Sequence, residues 1–456
     1  MSFRKIFLSF SLILSAFCLV SFADTVTQKW SAAYNDSSNK LNMIQDIGYD
    51  ASGNVYVTGT TSMSEIVIIK YNALGDVQWS NPVESGIPNA MAVDSSGNVY
   101  IAGQSSTGTA NLFAGKILKY NTSGTVKWTI PFQGTKSTGG NLARDILVDS
   151  SGNVYVLGEV VNNNTETDYI IIKYNSLGTE IWKRTYNSSG NANDLCGDLA
   201  IDSSGNVYAT GSSGTLKYNA SGSLQWTVET SIFGRSLGID SSSNIYIFSI
   251  LGSTSGNTFN LFKYNSAGVK QWSSLHPNSY GGNEIPSDMA VDNSGNVYLT
   301  GGLKGGSNPG ILTVKFDNAG VFQWDTVFYA ADANNPGSVS CDPWTGVYVT
   351  GVVNHNILTI KYDSDGNEKW NMLYSANLPY GVPIPLAIQS GHVYVGGSTY
   401  SASTNYNFAT ISYDQHFCKE YSDGDINKDC KINFLDFAQM AIDWAQCNKY
   451  PPSDCQ

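Results

Sequence analysis

The sequence predicts an all-β protein built from repeats and closed on itself, and three observations predict it. Gly reaches 45 of 456 residues while 12% of the chain is aromatic and 14% charged, a balance that implies many turns around a packed interior. The stretch "DSSGNVYIAG" from Asp94 returns as "DSSGNVYVLG" from Asp149, "DSSGNVYATG" from Asp202 and "DNSGNVYLTG" from Asp292. A tryptophan that follows each of seven later motifs is missing after the eighth and stands instead near the start of the chain.

The repeat has three signals in fixed order. The first is an apolar-tyrosine-apolar run beginning at Asn54, Asn98, Asn153, Asn206, Asn244, Asn296, Gly346 and His392. The second is "IIKYN" around Tyr71, varied at Tyr120, Tyr174, Tyr218, Tyr264, Phe316, Tyr362 and Tyr413, so the unit recurs every 44 to 54 residues. The third is Trp79, Trp128, Trp182, Trp226, Trp272, Trp324 and Trp370; the eighth is Trp30, in "TQKWSAAY". A period of this length suits one four-stranded sheet per unit. The displaced tryptophan implies that the N-terminal strand completes the last sheet, leaving no open edge. The predicted fold is an eight-bladed β-propeller of four-stranded antiparallel blades, with seven blades as the alternative, plus a small α-helical calcium-loop tail described below.

In the second unit, strand A is Ala90 to Asp94, B is "NVYIAG", C is Lys116 to Asn121 and D is Thr125 to Trp128. Strand B is apolar on both faces, Val99 and Ile101 on one and Tyr100 on the other, as a blade sandwiched between neighbours requires. These units resemble the β-propeller repeat of bacterial exported proteins, and "YNxxGxxxW" is similar to the tryptophan-docked blades of quinoprotein-like propellers. The resemblance spans about Thr25 to Asp414 and bears on architecture. A quinoprotein dehydrogenase would imply adjacent cysteines against its cofactor, and the sequence has no Cys-Cys pair.

The Asp-x-x-Gly-Asn element carries what a tight A/B hairpin needs, an Asp side chain to cap the turn and a Gly for positive φ. A ring of calcium-binding carboxylates at Asp50, Asp94, Asp149, Asp202, Asp240 and Asp292 is the competing reading. With antiparallel strands, the short A/B and C/D turns fall on one face of the disc. The B/C and D/A loops, which vary in length and are rich in Asn, Ser, Thr, Gly and Tyr, fall on the other. Variable loops on a rigid scaffold usually carry binding, so that face, near the channel mouth, is the expected recognition surface for a polysaccharide or protein ligand. Tyr280, Tyr329 and Tyr380 are among its aromatics.

No catalytic residue is assigned. The histidines are His276, His355, His392 and His416, none in a metal-ligand spacing, and no serine elbow or HExxH run occurs. His392 stands where most repeats have Asn and reads as a turn residue. Glycosidase or lyase chemistry needs two carboxylates that meet in space; Glu159 with Asp168 and Glu284 with Asp288 are the pairs to inspect. The net charge of −12 leaves no basic field for nucleic acid.

Arg4 and Lys5 followed by the apolar run Ile6 to Val20 and small residues up to Ala23 are laid out as a secretory signal peptide, cleaved after Ala23. Phe17 before Cys18 argues against a lipoprotein, and no later stretch is apolar for long enough to span a bilayer. The domains are therefore 1–23 signal peptide, 24–416 propeller and 417–456 tail, in a secreted or surface-associated protein.

In the tail, Asp425, Asn427, Asp429, Lys431, Asn433 and Asp436 occupy positions 1, 3, 5, 7, 9 and 12 of an EF-hand calcium loop, Lys431 through its carbonyl. Phe434, Phe437, Met440, Ala441 and Trp444 then share one face of a predicted helix. Cys430 replaces the usual Gly at position 6 and Asp436 is shorter than the usual Glu. The segment resembles one repeat of a dockerin, which implies Ca2+ and a cohesin-like partner. Dockerins usually carry two repeats and one is evident here; Cys418, Cys430, Cys447 and Cys455 crowd into this segment, which in an exported protein suggests a disulfide-stapled tail, with Cys418 and Cys447 as a candidate brace. Cys196 and Cys341 lie far apart in the repeats and read as buried thiols. The sequence thus points to an exported, non-catalytic binding or display protein, with a polysaccharide-degrading enzyme on the same scaffold and a purely structural surface protein as alternatives.

Overall fold

The structure is a computed structural model describing residues 25–416, apart from 36–41, 62–64, 107–112, 137–139, 164–165, 190–191, 229–232, 254–255, 306–308, 331–334, 344–345, 379–381, 390 and 402–404. The segments 1–24 and 417–456 lie outside the described residues, and with them the signal peptide and all six expected calcium ligands.

The described strands form eight four-stranded sheets. Blade 1 comprises Asn42–Tyr49, Val55–Thr61, Glu65–Tyr71 and Val77–Ser85 as strands A to D, and each later blade repeats the pattern. Every consecutive pair with a printed register is antiparallel, as in blade 3. The A strands of successive blades touch, and strand A of blade 8 (Leu386–Gln389) touches that of blade 1, so the A strands ring the axis and the D strands form the rim. The count is eight, not seven. Blade 8 is completed by Thr25–Tyr34, which pairs beside Asn405–His416. The displaced tryptophan had located this closure.

One expectation is corrected. No helix occurs among the described residues, which are all-β; the α-helical part of the predicted fold is therefore unsupported, and residues 417–456, where it was expected, lie outside the described residues. That expectation rested on apolar spacing over 434–444 alone, a local signal that by itself does not specify a helix.

Burial explains the strand sequences. All seven residues of Val55–Thr61 are buried, as are all of Val347–Val353, because both faces of a blade press on neighbouring blades. Strands run further toward the variable-loop face than the motif indicates. In blade 2 they are Ile87–Val93, Val99–Ser106, Phe113–Tyr120 and Val126–Phe132. The repeated residues mark the short-turn end of each blade, where turn chemistry constrains them, while the far end is held by ladder bonds that tolerate many side chains.

Candidate functional site: the blade 5–6 seam on the variable-loop face

The short-turn face is scaffold. Asp202 Oδ1 accepts the N–H groups of Ser204 (3.0 Å) and Asn206 (2.9 Å); its Oδ2 accepts Asn206 Nδ2 (2.7 Å) and the Tyr208 hydroxyl (2.9 Å). The tyrosine-to-aspartate bond recurs in seven blades at 2.6 to 3.2 Å. At Asp50, Asp149, Asp202 and Asp240 burial pushes the carboxyl up and the donors more than reverse it, leaving these four below the ordinary carboxylate range. With four donors on two oxygens, little lone-pair capacity is left for a cation. Among the described residues no cluster of three or more His, Cys, Asp or Glu is placed to hold a metal. The repeated Asp is a hairpin cap.

The tryptophans link blades. Trp79 Nε1 donates to Thr122 O at 3.0 Å, and Trp182, Trp226, Trp272 and Trp324 donate to the equivalent turn of the following blade at 2.9 to 3.2 Å. Trp30 donates to Ala73 O of blade 1 at 3.2 Å, carrying the pattern across the closure. The turn glycine is required twice over. Gly222 has φ +78°, and a Cβ there would lie 2.7 Å from the Trp182 ring. A hollow of about 530 Å³ between the turns of blades 3 and 4 is lined by Asp149, Tyr155, Lys173 and Asp202. Its polar groups are spent internally: Lys173 lies over the Tyr155 ring at 4.9 Å and donates to Ala220 O at 3.4 Å.

At the axis, four aspartates missed by sequence reasoning occupy one position of strand A, in blades 1, 3, 4 and 6. Strand A bulges there, freeing a backbone N–H, which the carboxylate of the preceding blade accepts. Asp46 takes Met91 N at 2.8 Å and Asp288 takes Val339 N at 3.0 Å. Asp145 and Asp198 converge on Leu199 N at 3.2 and 2.9 Å. Enclosure by protein raises Asp46 to about 6 and Asp288 to about 7. Burial, reinforced by the neighbouring Asp198, raises Asp145 well above its ordinary value, and burial also raises Asp198. Each keeps part of its surface open.

The variable-loop face carries the most unusual chemistry, at the seam of blades 5 and 6. The loop after strand D of blade 5 (Lys270–Leu275) turns through Asn278, Gly281 and Gly282, all at positive φ, and delivers His276 and Tyr280 onto blade 6. His276 Nδ1 lies 2.6 Å from Glu284 Oε1 on strand A (Asn283–Val291), and its Nε2 lies 2.8 Å from Asp325 Oδ2 on strand D (Phe322–Tyr329). Glu284 Oε2 accepts Phe259 N at 2.6 Å, and Asp325 Oδ1 accepts the Tyr280 hydroxyl at 3.0 Å. Burial alone would depress His276, but the two carboxylates raise it above its ordinary value. The Tyr280 ring meets that of Tyr329 at 6.4 Å in an edge contact, and Tyr329 is 51% exposed. Burial and the hydrogen bond to Asp325 raise the Tyr280 phenol to about 12.

Several expected residues are placed differently. Glu159 stands opposite Tyr169 while Asp168 stands opposite Val160, so with side chains alternating along a strand the two carboxylates project from opposite faces of blade 3. Glu284 faces blade 5 through Phe259 and His276, whereas Asp288 faces blade 7 through Val339; the bulge between Pro286 and Asp288 reverses the parity. Neither carboxylate pair meets. The aromatic pair also sits toward the rim, since Tyr329 ends a D strand, and not at the channel mouth. Tyr380 lies outside the described residues.

His392 Nδ1 contacts Asp414 Oδ1, and Lys29 Nζ lies 3.4 Å from Asp414 Oδ2, so His392 helps fasten the closing strand. His355, at φ +64°, occupies the two-residue turn between Val353 and Asn356. Cys196 is buried and Cys341 half-buried, both free thiols. The His276 cluster was legible only in part: His276 and Glu284 stand eight residues apart, but Asp325 joins them through the blade fold.

No protein-family model matches the chain, and no curated protein matches it. Among solved structures, the Dos1 propeller is similar at TM-score 0.53 and 10% identity, covering 86% of this chain and 96% of its own. A protein of unknown function from Dyadobacter fermentans gives TM-score 0.45 at 9% identity, covering 85% and 99%. One from Bacteroides caccae gives 0.38 at 13% identity, covering 60% and 93%. At such identities the Dos1 likeness is one of fold alone, and it supports the propeller architecture.

Proposed function

We propose that this protein is an exported, non-catalytic binding protein whose variable-loop face recognises a polysaccharide at the blade 5–6 seam. The observation that carries this reading is the Tyr280–Tyr329 pair, one ring fixed through its hydroxyl and the other half exposed beside it. Amphipathic rings of this kind offer a flat apolar body and a polar edge at little entropic cost, which suits a sugar ring with its apolar face and hydroxyl rim. A non-catalytic role is favoured over glycoside hydrolysis or lysis because neither candidate carboxylate pair shares a face. The resemblance to quinoprotein-like blades brings no redox role, as the sequence lacks an adjacent cysteine pair.

The test is incubation of the full chain with a panel of soluble polysaccharides, followed for retention and for new reducing or unsaturated ends. Retention without products, lost in Tyr329→Ala, is the expected result. Products would establish an enzyme, and no retention would leave a structural role.

Attachment belongs to the same proposal. Residues 1–23 would direct export. Asp425, Asn427, Asp429, the Lys431 carbonyl, Asn433 and Asp436 would bind Ca2+ as a dockerin-like loop engaging a cohesin-like partner. Calorimetric titration of the full chain should detect one saturable calcium site that Asp425→Ala abolishes; unchanged binding in that variant would remove the assignment.

A further inference from the structure

The imidazole of His276 has no exposed side-chain surface and faces a carboxylate at each ring nitrogen, Glu284 at 2.6 Å and Asp325 at 2.8 Å. A neutral imidazole has one N–H and one lone pair. Between two ionised carboxylates it would aim that lone pair at an anion, so satisfying both contacts takes the doubly donating imidazolium. Among the described residues, the groups shown in contact with it are carboxylates and apolar rings. Strand A of blade 6 contributes Glu284, strand D contributes Asp325, and the loop itself contributes Tyr280, hydrogen-bonded to Asp325. Phe259 of blade 5 and Phe322 pack as apolar rings at 6.2 and 5.8 Å.

The two contacts are unequal. Glu284 is sealed and has a second donor in Phe259 N, whereas the Asp325 side chain is 15% exposed. When the proton leaves, Asp325 is the partner that water can reach. It is also the residue that anchors Tyr280.

We propose that His276 is a proton-dependent pin for the Tyr280–Tyr329 surface. Protonated, it bridges Glu284 and Asp325 and fixes the 276–282 loop; deprotonated, it releases Asp325, the loop loosens and the aromatic surface loses its shape. The consequence for binding rests on the reading of this pair as the sugar-stacking surface. The pin itself does not.

His276 is a positioning residue, and its test has two readouts besides binding. The full chain contains four histidines, so a [13Cε1]-histidine spectrum resolves them, with His276→Gln identifying the resonance. Deuterium exchange over residues 275–283 is followed from pH 6 to pH 9, corrected for intrinsic base catalysis. We expect the His276 signal to titrate above the ordinary value of about 6.5. Loop protection should fall about tenfold for each unit of pH beyond that titration, until it reaches the unpinned level. His276→Gln and Asp325→Asn should show the unpinned level at both ends of the range. Titration at or below about 6.5, or wild-type protection that does not follow the proton, overturns the proposal. Should His276→Gln fail to fold, the wild-type titration and Asp325→Asn still decide it. Polysaccharide retention at pH 6 that disappears at pH 9 would extend the pin to binding. Absence of retention at both pH values would refute the binding reading while exchange still decides the pin.

Discussion

Two tryptophans in adjacent blades separate hydrogen bonding from packing. Trp324 lies 6.2 Å from both Tyr298 and Tyr362, and Trp370 lies 6.1 and 6.3 Å from Tyr348 and Tyr413, so their aromatic settings match. Trp324 Nε1 donates to Ser364 O at 2.9 Å. Trp370 is buried with 7% exposure, yet among the described residues its Nε1 has no partner, because the chain after Tyr413 continues as a strand to His416 where other blades turn. Replacing each by Phe removes the same atoms, a transfer loss of about 1–2 kcal/mol in either place. Trp324→Phe additionally loses a hydrogen bond of about 1 kcal/mol net, and Ser364 O keeps Lys315 Nζ at 2.7 Å. Trp370→Phe removes a buried orphan donor and recovers about 1–3 kcal/mol. Trp324→Phe should therefore be the less stable variant by about 2 kcal/mol or more, which displaces its urea midpoint downward by on the order of 0.5 M. Packing alone predicts the opposite order, since Trp370 is the more buried. Coincident midpoints, or a lower one for Trp370→Phe, would refute the hydrogen-bond accounting.

Stability should peak at mildly acidic pH. Asp46, Asp145, Asp198, Asp288 and His276 are all raised on folding, so the native state holds protons that the unfolded chain has released; the aspartate contribution falls as pH rises from about 4, through about 6 for Asp46 and about 7 for Asp288, and that of His276 is lost above its ordinary range. The capping carboxylates Asp50, Asp149, Asp202 and Asp240 are lowered, and their contribution is lost below about pH 4. The melting temperature should be higher at pH 5 than at pH 8, and Asp288→Asn should flatten the difference; a rising trend would contradict the axial assignment. Tyr208→Phe, which takes a donor from the Asp202 carboxylate at 2.9 Å, should cost about 1.5–3 kcal/mol by denaturant unfolding. Asp414→Ala should loosen the closing strand by about 1 kcal/mol, seen as faster exchange over residues 25–34 than elsewhere in blade 8.

The scaffold was legible because each blade solves one local problem with one residue set. An Asp cap, a positive-φ Gly, a Tyr six residues after the Asp and a Trp over the next turn recur as text, and the structure assigns each a bond. The blade count and the closure followed from counting them. The axial aspartates were written too, as an Asp four residues before the capping one at Asp46, Asp145, Asp198 and Asp288. They escaped notice because half the blades put Ala90, Ser236, Ser338 or Pro385 there, and because their partner is a backbone N–H, which has no letter. Carboxylate pairs chosen by proximity failed for a related reason: strand parity separates Glu159 from Asp168, and a bulge separates Glu284 from Asp288.

The seam site shows where such reading stops. His276, Glu284 and Asp325 belong to three strands or loops of two blades, and no period relates them. A repeat fold places equivalent positions of neighbouring blades against one another, so a chemical departure in one blade acts on the next. His276 is such a departure. Its loop carries a titratable ring across a boundary of the kind that other blades close with apolar side chains, Trp–carbonyl and Lys–carbonyl bonds and Asp–amide bonds. There the imidazole bridges Glu284 and Asp325, and Asp325 in turn holds Tyr280 beside the exposed Tyr329. A repeat array with near-identical seams has no means of singling out one direction around the ring for recognition. The seam that breaks the pattern supplies that direction, which is the physical ground for the proposed binding surface at blades 5 and 6.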